Sequence, residues 1–278
     1  MFSSLKDRSF SAGIIILFLG AVVVFNSIFP LALNIAIALI SAASMYEIAL
    51  ALGVSKKPML LWPTLIFACV LPFLSMGFQE AAAYFLYTVV VFSTMIFYHD
   101  LISFREVGVL YSVALLIPTS LETLIQLRHI GGRHGMFYVI VAIFAAWLAD
   151  VGAYFAGNWF GKHKLCPNIS PKKTVEGVIG GFIFEIGMLL LAGWFFQDIF
   201  WAGQAKVSYF TLFVIGVGGS ALSVIGDLSF SLIKRSCHIK DFSEILPGHG
   251  GILDRFDSVI FVAPFVSILL RFMPLVYA

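Results

Sequence analysis

The sequence predicts an all-α polytopic integral membrane protein of about nine transmembrane helices, with its N-terminus on the cytoplasmic side. Three observations carry this prediction. Of the 278 residues, 60% are hydrophobic and only 12% are charged, about half the charge with which ordinary soluble domains face water. Mean hydropathy is +1.01. Apolar runs near 20 residues, the length a spanning helix needs, recur along the whole chain. Together these exclude a soluble enzyme, a secreted disulfide scaffold and a disordered chain. A net charge of +2 is too mild to suggest nucleic-acid binding. Cys69, Cys166 and Cys237 lie far apart, in no C-x-x-C pair, so neither a zinc site nor a disulfide framework is indicated.

Hydropathy places spans near 10–29, 31–52, 59–78, 80–98, 107–125, 136–160, 177–201, 208–233 and 258–277. The run after Met1–Arg8 begins like a signal peptide, but its length is that of a spanning helix and exceeds a signal core. Asn26–Pro30 is a nearly charge-free turn, whereas Lys56-Lys57-Pro58 is a charged stop followed by a helix restart. With the N-terminus inside, thirteen of the 17 Lys and Arg residues fall on the inner side; Arg128, Arg133, Lys206 and Arg271 fall on the outer. That bias supports N-inside, C-outside and an odd number of spans. It also puts the two longest polar segments, 161–176 and 234–257, on the cytoplasmic side. Residues 1–135 read as a scaffold of transmembrane helices with short, plain loops. Residues 136–278, where ionisable residues and glycines concentrate, read as the catalytic transmembrane region.

The densest polar stretch runs from Ser231 to Asp257. Asp227, Ser231 and Lys234, spaced four and three apart, share one helical face. A basic loop with Arg235, Lys240 and Asp241 leads into Pro247-Gly248-His249-Gly250-Gly251, whose glycines let backbone N–H groups approach an anion or let the chain turn beside a ligand. Asp254 and Asp257 then open the ninth helix three residues apart. As helix-start carboxylates they would also suit the macrodipole alone. Asp227 is harder to explain structurally. It lies inside an apolar run, where a carboxylate costs several kcal/mol unless a cation or donors meet it. Asp150 repeats the pattern, with Tyr154 one turn further on the same face and small residues lining the helix for close packing. Glu47, near the inner end of its span with no polar group following, and Glu185, without a cluster, read as helix-packing or interface residues.

Ser170-Pro171 reads as an N-cap followed by an N1 proline. Lys172 and Lys173 would then occupy the first helical turn, a place for cations only if a negatively charged ligand docks there; an inside-positive anchor is the plainer alternative. His249, between glycines and two aspartates, is a candidate base, metal ligand or turn residue. The residues thus describe a site at the inner membrane boundary with carboxylates for a divalent metal and basic side chains for phosphates. Mg²⁺ favours one or two carboxylates plus substrate phosphates, and metal with basic clamps is the equipment of phosphoryl or nucleotidyl transfer.

The run from Ser231 to Asp257 resembles the signature of the phosphatidate cytidylyltransferases, or CDP-diacylglycerol synthases: S-x-x-K-R-x4-K-D, a spacer, then H-G-G-x-x-D-R-x-D. Ser231, Lys234, Arg235, Lys240, Asp241, His249, Gly250, Gly251, Asp254, Arg255 and Asp257 meet its fixed positions. Gly226-Asp227, Asp150 with Tyr154, and the Ser170–Gly177 loop containing Thr174 and Glu176 also look like family features. The resemblance covers about 147–257. It implies transfer of CMP from CTP to phosphatidate, giving CDP-diacylglycerol and pyrophosphate for phospholipid biosynthesis, with Mg²⁺ and room for a second cation. It points to Asp227 and Asp254 as metal ligands, Asp257 and Asp150 as supporting carboxylates, and Lys172, Lys173, Lys234, Arg235 and Lys240 as phosphate binders. The implied setting is a bacterial plasma membrane, with the site facing the cytoplasm. CTP, phosphatidate and membrane lipids are the expected partners, nucleic acid is not, and a homodimer is left open. The rival readings are a CTP-dependent polyprenol or phytol kinase, and an ion-coupled transporter using Asp150 and Asp227.

Overall fold

The structure, a computed structural model, describes residues 20–26, 28–74, 77–245 and 250–277, together with Gly13 and Leu17. Nine of the 20 residues of the first expected span, and His249, lie outside the described residues. The described chain is mostly helical: α1 (Ala32–Ala51), α2 (Pro58–Val70), α3 (Phe78–Phe97), α4 (Phe104–Ile130), α5 (Gly135–Phe160), α6 (Val175–Trp194), α7 (Tyr209–Ser236), α8 (Leu253–Phe256) and α9 (Val259–Phe272). Two small antiparallel pairs accompany them, β1 (Lys164–Cys166) with β2 (Ser170–Thr174), and β3 (Lys206–Val207) with β4 (Val276–Tyr277).

Among the described residues six helical stretches are long and apolar enough to cross a membrane: Ala32–Ala51, Phe78–Phe97, Phe104–Ile130, Gly132–Phe160, Val175–Phe200 and Tyr209–Ser236. Two expected spans come out shorter. The stretch at 59–78 is α2 plus a 3₁₀ turn, Leu71–Phe73, with Pro72 inside that turn. The stretch at 258–277 is helical only over the 14 residues of α9, roughly 21 Å at 1.5 Å per residue against a hydrocarbon core of about 30 Å. Beyond it the chain becomes extended, and β4 pairs with β3.

The chain divides into two compact units, Met1–Glu122 with Ser236–Phe256, and Thr123–Arg235 with Asp257–Ala278. In the first unit, buried polar contacts fix the helix pairs. Asn34 Nδ2 donates to Pro72 O at 2.6 Å, Thr64 and Tyr87 hydroxyls meet at 3.2 Å, and Thr88 meets Tyr111 at 2.7 Å. Tyr87 also stacks on Phe67. Each hydroxyl partner spares a polar atom the cost of sitting unpaired in apolar surroundings. Pro58 at the first turn of α2, after Lys56-Lys57, is the restart that the charged stop anticipates.

In the second unit, α5 and α6 approach through small residues. A Cβ at Gly181 would stand 2.8 Å from Ala149 O, one at Gly177 2.8 Å from Ala153 O, and one at Gly180 2.1 Å from the Ala156 Cβ. Backbone-close packing of this kind is how helices associate in lipid, where apolar burial alone gives no advantage. It brings the chain before α6 beside the polar end of α5.

Candidate active site

The Ser170–Glu176 segment differs from its sequence reading. Ser170 is no N-cap: Ser170–Thr174 is strand β2, paired with β1 in a hairpin, and α6 starts at Val175. The cap is Thr174, whose Oγ1 accepts from Gly177 N at 3.1 Å, an ordinary N-cap bond. Glu176 in the first turn folds back over the hairpin. It accepts from the backbone N–H groups of Lys162 and His163 and lies 2.5 Å from His163 Nδ1. A strand sends neighbouring side chains to opposite faces, so Lys172 and Lys173 do not act as a pair. Lys172 is exposed; Lys173 turns inward.

Lys173 is the centre of the second unit's polar cluster. Its Nζ lies 2.6 Å from Asp227 Oδ2 and 4.0 Å from Asp150 Oδ1. Asp227 comes from α7, Asp150 from α5 and the lysine from β2, so one cation ties three elements. One turn away from both carboxylates, Ser223 Oγ donates to Ala146 O at 3.1 Å, fixing α7 against α5. Gly226 lets the chain before α9 come close: a Cβ there would stand 2.9 Å from Asp257 O. That approach delivers a third carboxylate. Ser258 Oγ donates to Asp150 Oδ2 at 3.1 Å, and Ser258 N donates to Asp257 Oδ1 at 2.7 Å. The last bond takes a donor out of the helical ladder. Asp254 and Asp257 therefore do not open one helix: α8 ends at Phe256, and α9 starts at Val259.

Burial pushes the Asp257 carboxyl well above its ordinary range, and the negative charges of Asp227 and Asp150 push it further, against the pull of Lys234. Three carboxylates thus share two lysines, Lys173 and Lys234, and Asp257 is the one whose ionisation the others disfavour. Ser231 and Lys234 are buried on the same face of α7 as Asp227, as the spacing indicates. Arg235 is exposed. Tyr154 is 66% exposed and stacks edge-on with Phe155. Among the described residues no group of three or more His, Cys, Asp or Glu side chains is gathered closely enough to hold a metal by protein ligands alone.

The signature loop belongs to the first unit. Asp254 Oδ2 accepts from Phe242 N and Gly251 N, both at 2.9 Å. Gly250 has φ +81°, and a Cβ there would press on Asp254 Oδ2 at 2.9 Å, so both conformation and space call for glycine. The Gly251 N–H, expected for an anionic ligand, is held by the chain's own carboxylate. Lys240 and Asp241 are exposed, and Arg255 is half-buried.

Sequence reasoning missed Glu47. It is fully buried in α1 and accepts from Ser243 Oγ at 2.6 Å, Ile252 N at 2.9 Å and Leu253 N at 2.8 Å. The available signal was a carboxylate in an apolar helix near its end. Its partners are about 200 residues away in sequence, so local spacing could not reveal them.

The fold and site are those of an apolar helical protein in which carboxylates and lysines gather at helix ends. Residues 6–273 match the cytidylyltransferase family, and the chain belongs to that family. It is similar to the phosphatidate cytidylyltransferase of Bacillus subtilis, with 40% identity over 184 residues, 66% of this chain and 63% of that protein. The phosphatidate cytidylyltransferase of Haemophilus influenzae is 42% identical over 134 residues, 48% of this chain and 46% of its own length. That of Staphylococcus saprophyticus is 45% identical over 136 residues, 49% and 50%. The chain thus spans between about half and under two thirds of these relatives.

Proposed function

We propose that the protein transfers CMP from CTP to phosphatidate, producing CDP-diacylglycerol and pyrophosphate. The observation that carries this reading is the polar cluster of Asp150, Lys173, Asp227 and Asp257, built from α5, β2, α7 and the last residue of the Ser231–Asp257 signature run. Membership of the cytidylyltransferase family and the names of the relatives support it.

The chemistry needs little beyond charge management. A phosphate monoester is already mostly ionised near neutral pH, with a second pKa of about 6, so its oxygen can attack the α-phosphorus of CTP without a general base. Pyrophosphate leaves as the new phosphoanhydride forms. Both reactants are polyanions, and their mutual repulsion is the obstacle that preorganised positive charge removes. Lys173, Lys234, Arg235 and Lys240 are the candidates for that task. Asp227, Asp150 and Asp257 offer hard oxygen donors, which fits Mg²⁺ completed by waters and substrate phosphates. Bound there, Mg²⁺ would supply charge neutralisation at the transferring phosphate. Asp254, whose Oδ2 accepts from the backbone N–H groups of Phe242 and Gly251, is also a candidate metal ligand.

The same reading places the protein in a bacterial plasma membrane as a multi-pass protein with the N-terminus inside. Loops 161–176 and 234–257 then face the cytoplasm, where CTP is. The thirteen-to-four lysine and arginine bias supports this orientation. Label position in CTP tests the reaction. With purified full-length protein, phosphatidate and Mg²⁺, α-phosphate label should enter the lipid and γ-phosphate label should not. Transfer of the γ-label to a lipid alcohol would mark a kinase instead, and ion-gradient-driven uptake without either transfer would mark a transporter.

A further inference from the structure

Glu47 sits where a carboxylate is doubly disfavoured. It is in the last turns of α1, against the negative end of the helix macrodipole, and it is buried in a helix of apolar composition. Three donors offset these costs, and all three belong to the segment 243–253. Two are the consecutive backbone N–H groups of Ile252 and Leu253, at the start of α8. The fit is tight: a Cβ on Gly251 would lie 2.5 Å from Glu47 Oε2. Next to these contacts, Asp254 holds Phe242 N and Gly251 N. The two carboxylates together take the side-chain hydroxyl of Ser243 and four backbone N–H groups, and so tie residues 242–243 and 251–253 of the signature run to α1 and α8.

We propose that Glu47 is a positioning residue for the transfer reaction: it anchors the signature turn, and thereby Asp254, to α1. The role rests on the proposed cytidylyltransferase activity, and it uses a residue from the half of the chain that carries none of the signature. Glu47 touches no substrate. Its contribution is to keep the Asp254 carboxylate and the neighbouring backbone in one geometry, the kind of support that decides whether a site is correctly spaced or slightly loose.

The test uses the full chain, purified in detergent, with Glu47→Ala, Glu47→Gln and Ser243→Ala compared with wild type. Turnover and the apparent KM for CTP are measured in mixed micelles, and backbone amide exchange is followed along the chain. Glu47→Ala should lower kcat about tenfold or more, leave KM for CTP within about twofold, and speed exchange over 250–256 while the remaining helices exchange as in wild type. Glu47→Gln, which keeps one acceptor oxygen, should recover part of the lost turnover, and Ser243→Ala should show a smaller loss of the same kind. Unchanged kcat in a folded Glu47→Ala protein, or unchanged exchange over 250–256, would overturn the role. So would faster exchange throughout the chain, which would make Glu47 a general fold residue. If wild type itself makes no CDP-lipid, the proposed reaction fails, while local loosening in Glu47→Ala still establishes the anchoring contact.

Discussion

Lys173 Nζ lies 2.6 Å from Asp227 Oδ2, so the cation that an aspartate within α7 requires comes from a strand more than fifty residues earlier in the chain. The lysine also faces Asp150 at 4.0 Å. Removing it leaves the carboxylates of α5 and α7 with less positive charge between them. Lys173→Met should therefore lower the melting temperature of the detergent-solubilised protein, and millimolar Mg²⁺ should restore more of that loss than it adds to wild type. A partly exposed pair is worth less than the 3–5 kcal/mol of a fully buried one, so the expected shift is a few degrees. An unchanged melting temperature would show that the pair carries no net charge compensation.

Asp227→Asn should reduce turnover on the order of 100-fold or more, the scale of losing one oxyanion-stabilising contact. Because Asn keeps the size of the side chain, membrane insertion and monodispersity should be retained. Asp254→Asn should also abolish turnover, but it weakens acceptance from Phe242 N and Gly251 N as well, so faster exchange around 242 and 251 should accompany its loss. Near-normal turnover in either variant at saturating Mg²⁺ would remove that aspartate from the site.

Packing of α5 on α6 gives a prediction independent of chemistry. Gly180→Leu and Gly181→Leu should each destabilise the protein by about 1–3 kcal/mol or more, because overpacking forces backbone shifts. Gly187, with open space around its Cα, should accept Ala with little change. Thermal melts of the three variants provide the comparison.

Much of this site can be read from sequence, and the residues show why. The face shared by Asp227, Ser231 and Lys234 follows from helical periodicity, which a 28-residue helix obeys closely. The demand of Asp227 for a partner follows from its apolar neighbours, and the close packing of α5 from its run of small residues. The helix start at Ser170-Pro171 misleads because serine followed by proline is also compatible with an extended strand. The actual cap, Thr174, sits four residues on, where Gly177 N supplies the bond. Glu47 is illegible for another reason: its partners, Ser243, Ile252 and Leu253, are 196 to 206 residues away, and no local pattern encodes a contact of that range. The break between α8 and α9 is similarly hidden, since it depends on Asp257 accepting from its own neighbour.

Orientation is open to direct labelling. After replacement of Cys69, Cys166 and Cys237, single cysteines near Lys172 and Lys240 should resist an impermeant thiol reagent in intact cells and react once the membrane is opened. Reaction from outside in intact cells would contradict a cytoplasmic placement of either loop.

The proposed reaction moves CMP onto a lipid phosphate. Its most direct measurement is product stoichiometry from purified wild-type protein supplied with CTP, phosphatidate and Mg²⁺, alongside Asp227→Asn. One pyrophosphate should be released for each CDP-lipid formed, at a rate that falls on the order of 100-fold or more in the variant. Release of CDP in place of pyrophosphate, or equal pyrophosphate release by wild type and Asp227→Asn, would contradict it.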